Sequence, residues 1–484
     1  MMTVVTSQNG TEIRRCLLLS GGEWIDGDGP AAPVLDKYSL RQVAEAPAAS
    51  PAQIDAMIAA AEAAFRSDTL SPYERGEILD RAVTIVAREK ESLAEIIQAE
   101  SGFTRSDALG EVTRCMQTLS LSAEEARRLK GDIIPMSGAP NQARRMAFTM
   151  RVPLGVVLAV TPFNSPLNTV THKVGPALAA GNAVVLKPAS ATPMTSCKLA
   201  EILVEAGVPK GLLSVLHGGG AVVQTAIADP KVRFIAFTGS TEVGRKIQAA
   251  AGLRRTQMEL GSIAYTILCD DADLDRALPK IVSAGYRKAG QVCTSVQMLL
   301  VHASIMEKVT ERMTALVRQV KFGDPRIDDT VTGPLISEGD AVRVESWIEE
   351  AVQKGATRHV GGPRQGTVVP PTLLSGVTDD MKLGCSEVFG PVVCLKPFEV
   401  FEEAIDMVNA TPYGLATGIF TNRLSDALAA AKALEVGGVH INETSSSRID
   451  LMPYGGSKDS GFGREGPHYA VQEMTEERIV TISN

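Results

Sequence analysis

Val156-Val-Leu-Ala-Val-Thr-Pro-Phe-Asn164 joins five consecutive apolar residues to a short polar turn. A β-branched run of this length that does not alternate with polar residues reads as a strand buried on both faces. Three runs of the same texture follow: Ala183-Val-Val-Leu186, Leu212-Leu-Ser-Val-Leu216 and Val232-Arg-Phe-Ile-Ala-Phe237. Each leads into turn residues and then a helical stretch. In one of these helices Pro193 suits the first turn, Ala200, Ile202, Leu203 and Val204 supply helix or core residues, and Gly207 with Pro209 supplies the stop. Alternating strand and helix with continuous apolar strands predicts an α/β fold, a parallel sheet covered on both faces. Ligands of such sheets sit beyond the carboxyl ends of the strands.

On the N-terminal side, residues 51 to 130 have a helical pattern, with Ile54, Met57, Ile58, Ala61 and Phe65 at helix spacing. A polar segment from Gly131 to Arg145 separates them from the first strand. On the C-terminal side a second alternating series starts near Glu259: strand Tyr265-Thr-Ile-Leu268, a helix from Leu274, strand Val296 to Val301 and a helix from Ile305. A domain boundary is therefore expected close to 259. Gly290-Gln-Val-Cys-Thr-Ser-Val-Gln297 then places Cys293 in a loop just before a strand of the second domain. Gly361-Gly-Pro-Arg-Gln-Gly366 reads as a surface loop, and no fixed-period repeat is present.

The chain has 484 residues, 44% of them hydrophobic, enough for a large core split into two or three domains. Its 56 acidic and 48 basic residues are dispersed, so no basic stripe advertises nucleic acid or anionic lipid. No signal peptide or membrane span is expected. The seven cysteines, at 16, 115, 197, 269, 293, 385 and 394, include no C-x-x-C pair and no histidine spaced for zinc. That is a reduced inventory, expected of a cytoplasmic protein without a metal site. Cys269 and Cys394, with apolar neighbours, are expected to pack in the core.

Five short segments bear on chemistry. Phe237-Thr-Gly-Ser-Thr-Glu-Val-Gly244 lies at a strand-to-helix turn, where glycines admit a phosphate and the helix N-terminus attracts it. Arg245-Lys246 stands where a P-loop needs Lys-Ser or Lys-Thr, which disfavours an NTPase. An ordinary glycine turn is the other reading. At the same sheet edge, Asn164 could donate to an oxyanion or satisfy its own turn, and Lys187 could reach a ribose or simply close a strand. Glu259, between Met258 and Leu260, is either a base with a raised pKa or an exposed interdomain glutamate. Cys293 is a nucleophile or a small core residue.

Taken in order, Thr161-Pro-Phe-Asn164, Leu186-Lys-Pro-Ala-Ser190, Phe237 to Gly244, Glu259-Leu-Gly261, Gly290-Gln-Val-Cys293, Glu387-Val-Phe-Gly-Pro391, Tyr413-Gly-Leu415 and Pro453-Tyr-Gly-Gly-Ser-Lys-Asp-Ser-Gly-Phe-Gly463 resemble the aldehyde dehydrogenase superfamily. The resemblance spans most of the chain. It implies a doubly wound cofactor domain (1–128 and 149–259), an α/β catalytic domain (260–458) and a small β oligomerisation unit (129–148 and 459–484). It also implies a homodimer or homotetramer, NAD or NADP as cofactor, and a small-molecule aldehyde as substrate. Cys293 becomes the nucleophile, Glu259 the general base and Asn164 an oxyanion donor. Thr161, Pro162, Phe163, Lys187, Ser190, Gly220, Phe237, Gly239, Ser240, Gly244, Leu260, Gly261, Glu387 and Phe389 become the dinucleotide-binding set.

In such chemistry a thiolate first makes the aldehyde carbon tetrahedral, hydride leaves to the nicotinamide, and water activated by the base hydrolyses the thioester. Two positions depart from the pattern. Ser262 replaces a common second glycine. Ser190 stands where NAD-preferring members often carry a glutamate, which implies tolerance of NADP. The segment Arg448 to Gly456, with Thr161 to Asn168, resembles members acting on small aldehydes, some anionic, such as lactaldehyde, succinate semialdehyde and phosphonoacetaldehyde. Arg114 and Arg448 are candidate anion anchors or structural arginines. Ser165 and Val292 place no charge beside the nucleophile, which disfavours the phosphonate. A CoA-acylating enzyme is disfavoured by Glu259; a non-catalytic member, by the intact Cys293, Glu259 and Asn164.

Overall fold

The computed structural model describes residues 1–6, 12–67, 70–142 and 144–483. Its first large sheet has five parallel strands at the centre, in the spatial order Arg255–Glu259, Val232–Thr238, Val156–Val160, Ala183–Lys187 and Leu213–Val215. Every residue of Val156–Val160 is buried, and Val157 lies between Val184 and Phe234 in register. A strand flanked on both sides and covered on both faces has no solvent side for polar residues, hence its uniform apolar sequence. Antiparallel strands close the two edges: Gly461–Phe462 beside Arg255–Glu259, and Leu18–Ser20 followed by Glu23–Ile25 beside Leu213–Val215.

The helix Pro193–Glu205 begins on its proline and ends before Gly207, which takes φ of 102°. The N-terminal helices are Pro51–Ser67, Pro72–Arg88, Lys90–Ser101 and Arg105–Arg128. Ile54, Met57, Ile58 and Ala61 face the core, with Phe65 packed at its margin. Ser71 and Glu74 cap the second of these helices reciprocally.

After Glu259 the chain crosses into a seven-stranded sheet. Its order is Thr357–Val360, Thr372–Ser375, Val392–Phe398, Val296–His302, Ala264–Leu268, Ala416–Phe420 and Gly438–Ile441, parallel except for the first pair. A 3₁₀ turn, Ala303–Ile305, precedes the helix Met306–Val317, so that helix starts one residue later than its apolar pattern suggests. A third, three-stranded sheet pairs Thr475–Ser483 along its whole length with Arg145–Pro153, which also pairs with Ile133–Ile134. It leaves Ile133, Met146, Met150, Ile479 and Ile482 exposed. The N-terminal strands Met2–Thr6, Glu12–Cys16, Ala31–Leu35 and Gln42–Pro47 form a separate sheet that the sequence pattern did not suggest.

Cys269 and Cys394 lie in the core of the second sheet's layer, and Cys293 is half-buried. Among the described residues, no helix is long and apolar enough to cross a membrane.

Candidate active site

Val160, Lys187, Thr238 and Glu259 end four neighbouring parallel strands to within one residue of register, so the carboxyl edge of the first sheet presents them side by side. A cleft of about 940 Å³ opens over this edge, within the size range of small-molecule sites. Thirteen of the fourteen residues expected to bind a dinucleotide line it: Thr161, Pro162, Phe163, Lys187, Ser190, Gly220, Phe237, Gly239, Ser240, Leu260, Gly261, Glu387 and Phe389. Gly244 lies behind the lining, where an added Cβ would sit 2.3 Å from Leu260 Cδ2. Its smallness lets the helix Thr241–Ala251 pack against Leu260.

The cleft suits an anionic, two-ended ligand. The helices Gly220–Ala228 and Thr241–Ala251 both begin on it, and a Cβ added to Gly219 or Gly220 would meet nothing within 4 Å. Ser240 Oγ accepts the Val243 N–H at 3.5 Å and caps the second helix. Lys187 is buried, has no carboxylate in ion-pair range among the described residues, and burial pulls its ammonium down to about 8. Ser190 is exposed at the rim and donates to the Gly218 carbonyl at 3.0 Å. Opposite, Glu387 accepts the Ser262 N–H at 3.0 Å, and burial pushes its carboxyl up to about 7. Phe389, held at φ of 46°, meets the Phe163 ring edge-on at 5.7 Å.

The loop that carries Cys293 follows the helix Leu274–Tyr286. Lys288, Ala289 and Gly290 take consecutive left-handed conformations at φ of 52°, 54° and 68°. Two of these are not glycine, a cost of about 1–2 kcal/mol each that surrounding contacts must outweigh. Those contacts are present. Lys288 Nζ donates to Glu111 at 2.7 Å and to the Asn164 carbonyl at 3.2 Å, and lies 4.4 Å from the centroid of the Phe103 ring. Gly290 packs so closely on Gly390 that a Cβ would fall 2.0 Å from its carbonyl oxygen. Glu111 also accepts from Ser165 Oγ at 2.7 Å and from the Asn168 N–H at 3.0 Å, so one buried carboxylate fixes the Asn164 turn and the Cys293 loop together.

Cys293 Sγ lies 2.8 Å from the Tyr454 hydroxyl, which donates to Glu259 at 3.3 Å. Burial, then the Glu259 charge, pushes the thiol well above its usual range, so it rests protonated. Burial and the nearby Glu465 raise Glu259 to about 7, against the opposing pull of Arg448 and Lys173. On the far side of these residues lies a cavity of about 80 Å³. Asn164, Thr238, Glu259 and Cys293 line both this cavity and the large cleft. A carbonyl group held at that junction would face a thiol, a carboxylate and an amide from one side and a cofactor-sized space from the other.

Arg114 and Arg448 border the small cavity, and both are engaged. Arg114 makes a two-pronged contact with Asp450, at 2.7 and 3.2 Å, and Arg448 donates to Glu465 at 2.8 Å while stacking over the Tyr454 ring at 3.7 Å. Arg287, which the sequence reading passed over, also borders it. Its guanidinium donates to Ser446 Oγ at 2.7 Å and has no carboxylate in ion-pair range among the described residues. Its signal was position: a basic pair, Arg287-Lys288, immediately ahead of the cysteine loop. Tyr454, which the sequence pattern does not mark as a site residue, directly follows Pro453.

Residues 24–480 match the model of the aldehyde dehydrogenase family. The chain is 44% identical over 474 residues to a 3-sulfolactaldehyde dehydrogenase of Priestia aryabhattai, covering 98% of this chain and 99% of that protein. Its structure is similar to that of aldehyde dehydrogenase 21 from Physcomitrella patens in complex with the reaction product succinate, with a TM-score of 0.94, 37% identity and coverage of 97% and 98% of the two chains. It is as similar, at a TM-score of 0.94 with 33% identity and coverage of 97% and 99%, to an NADP-dependent glyceraldehyde-3-phosphate dehydrogenase from Bacillus halodurans complexed with NADP. The chain belongs to the aldehyde dehydrogenase family and is an enzyme that oxidises an aldehyde with NAD or NADP.

Proposed function

We propose that Cys293 is the nucleophile, Glu259 the general base and Asn164 the oxyanion donor, acting on a small aldehyde that carries one negative charge. The observation that carries this reading is the junction: these three residues line both the large cleft and the small cavity. A nicotinamide dinucleotide would supply the hydride acceptor; the turn from Phe237 to Ser240 and the helix that follows would hold its phosphates, Lys187 a ribose, and Glu387 and Phe389 its nicotinamide end.

Loss of the thiol proton frees Cys293 Sγ to attack the carbonyl carbon; the C–S bond forms as the carbonyl π pair moves to oxygen. That oxyanion accepts from the Asn164 amide and the Cys293 N–H, whose two backbone segments Lys288 and Glu111 tie together. Oxidation leaves an acyl thioester on Sγ. Glu259 then takes a proton from water, the resulting hydroxide attacks the acyl carbon, and the C–S bond breaks to release the acid. With its carboxyl near 7, Glu259 is basic enough to take that proton yet partly ionised at neutral pH.

The charge on the substrate follows from Arg287. A half-buried guanidinium whose one side-chain partner among the described residues is a hydroxyl, at the edge of a cavity that begins at the nucleophile, is suited to a carboxylate or sulfonate. 3-Sulfolactaldehyde and succinate, in the names of similar proteins, are anionic and support the same class. The exposed apolar residues of the three-stranded sheet support assembly as a homodimer or homotetramer. The unpaired cysteines support a cytoplasmic location.

Cys293→Ala should abolish cofactor reduction. Glu259→Gln should give one rapid turnover of reduced cofactor and then stall at the thioester. Wild-type enzyme should release free acid without CoA; a strict need for CoA, or normal steady turnover by the Glu259 variant, would refute the assignment.

A further inference from the structure

Among the described residues, Tyr454 is the one whose hydroxyl touches the sulfur of the proposed nucleophile. Its Oη lies 2.8 Å from Cys293 Sγ and 3.3 Å from Glu259 Oε1, so it bridges the atom that must lose a proton and a carboxylate able to take one. A buried phenol is costly unless its O–H is paired, and here the two partners are the reacting groups themselves.

The ring is held so that the bridge cannot swing away. Tyr454 and Glu465 exchange two backbone hydrogen bonds, at 3.1 and 2.6 Å. Arg448 lies over the ring face at 3.7 Å and is itself fixed by Glu465. Glu465 is fixed in turn by Lys173 at 3.0 Å and Thr238 at 3.2 Å. A phenylalanine would fill the same space and keep the stack with Arg448, but would break the bridge.

We propose that Tyr454 is a catalytic residue of the first chemical step, a proton relay that empties the Cys293 thiol into Glu259. The S–H bond breaks as its proton passes to Tyr454 Oη, whose own proton passes to Glu259 Oε1. Tyr454 ends as it began, neutral; Cys293 ends as the thiolate and Glu259 as the carboxylic acid. Glu259 gives that proton up through the open cleft before it activates water for hydrolysis. The relay rests on Cys293 and Glu259 having the roles proposed above. Glu259 also faces the thiol itself, and direct transfer is the alternative to be separated.

The test is the rate at which iodoacetamide alkylates Cys293 at pH 7, followed by mass spectrometry of the Cys293 peptide, together with the rate of the first hydride burst. Four proteins are compared: wild type, Tyr454→Phe, Glu259→Gln and the double variant. Breaking the coupled path from Cys293 through Tyr454 to Glu259 should slow alkylation about tenfold from wild type to Tyr454→Phe. With Glu259 already replaced, the far end of the relay is gone, and adding Tyr454→Phe should change the rate by less than about twofold. Tyr454→Met gives a second protein lacking the hydroxyl, and unchanged NADP binding identifies the folded variants. Wild-type alkylation by both Tyr454 variants would overturn the relay in favour of direct transfer. An equal tenfold fall in both Glu259 backgrounds would reduce Tyr454 to a simple donor and overturn it as well. Failure of the underlying assignment would be visible separately, as residual oxidation by Cys293→Ala.

Discussion

Replacing Arg287 by leucine removes the guanidinium at the small cavity that has no carboxylate partner among the described residues. Charge-assisted hydrogen bonds to such a group contribute about 1.5–3 kcal/mol when made to a bound anion. At about 1.4 kcal/mol per decade, that is roughly a 10- to 100-fold loss of kcat/KM for an anionic aldehyde. The assay follows reduced cofactor with succinate semialdehyde and, in parallel, propionaldehyde, which is the same chain without the carboxylate. Propionaldehyde turnover should stay within about threefold of wild type, because Arg287 touches Ser446 and not the reacting atoms. Arg287→Lys should recover only part of the loss, since an ammonium cannot offer a planar fork. An equal fall for both aldehydes would show that Arg287 supports the loop and does not recognise the anion; no fall for either would remove it from recognition altogether.

Two further outcomes follow from the cleft and the base. Because burial raises Glu259 to about 7, it is protonated and unable to accept a proton below that pH; hydrolysis-limited kcat should therefore rise through about pH 7, a limb absent from Glu259→Gln. A carboxylate introduced by Ser190→Glu would stand on the cleft rim near Lys187 and repel a 2'-phosphate, so KM for NADP should rise about tenfold or more while KM for NAD changes little. Equal sensitivity of the two cofactors would place the ribose elsewhere.

The parts of this molecule legible in its sequence are those in which one physical demand dominates. Val156–Val160 is apolar throughout because every face of it is covered, so both the strand and its parallel neighbours can be read directly. Glu12–Cys16, Glu-Ile-Arg-Arg-Cys, could not be read that way: two of its five residues are buried and the rest meet water, and its partners include strands some thirty residues away. The same contrast holds in the site. Cys293, Glu259 and Asn164 stand in an ordered series of recognisable segments. Which arginine is left with an unmatched charge is decided by pairings across the chain, Arg114 with Asp450 over 336 residues and Arg448 with Glu465 across a bend. Residue type cannot encode that difference, and Tyr454 meets Cys293, 161 positions away in the chain, only because the intervening chain folds the two together.

Those pairings also set how much charge the cavity tolerates. Four cations border it: Arg114, Arg287, Lys288 and Arg448. Three are matched, to Asp450 at 2.7 Å, Glu111 at 2.7 Å and Glu465 at 2.8 Å, which leaves Arg287 for one negative charge. A second charge on the substrate would lack a partner and would approach the carboxylates of Glu111 and Glu259, which border the same cavity. A phosphonate aldehyde loses its second proton near neutrality, whereas a carboxylate aldehyde is already a monoanion well below it. The ratio of their KM values therefore cancels any titration of the enzyme itself. Between pH 6 and pH 8.5, KM for phosphonoacetaldehyde should rise about tenfold relative to KM for succinate semialdehyde. A ratio that stayed flat or fell would mean that a second cation is free to bind, and the matching of Arg114 or Arg448 to its carboxylate would have to open when substrate enters.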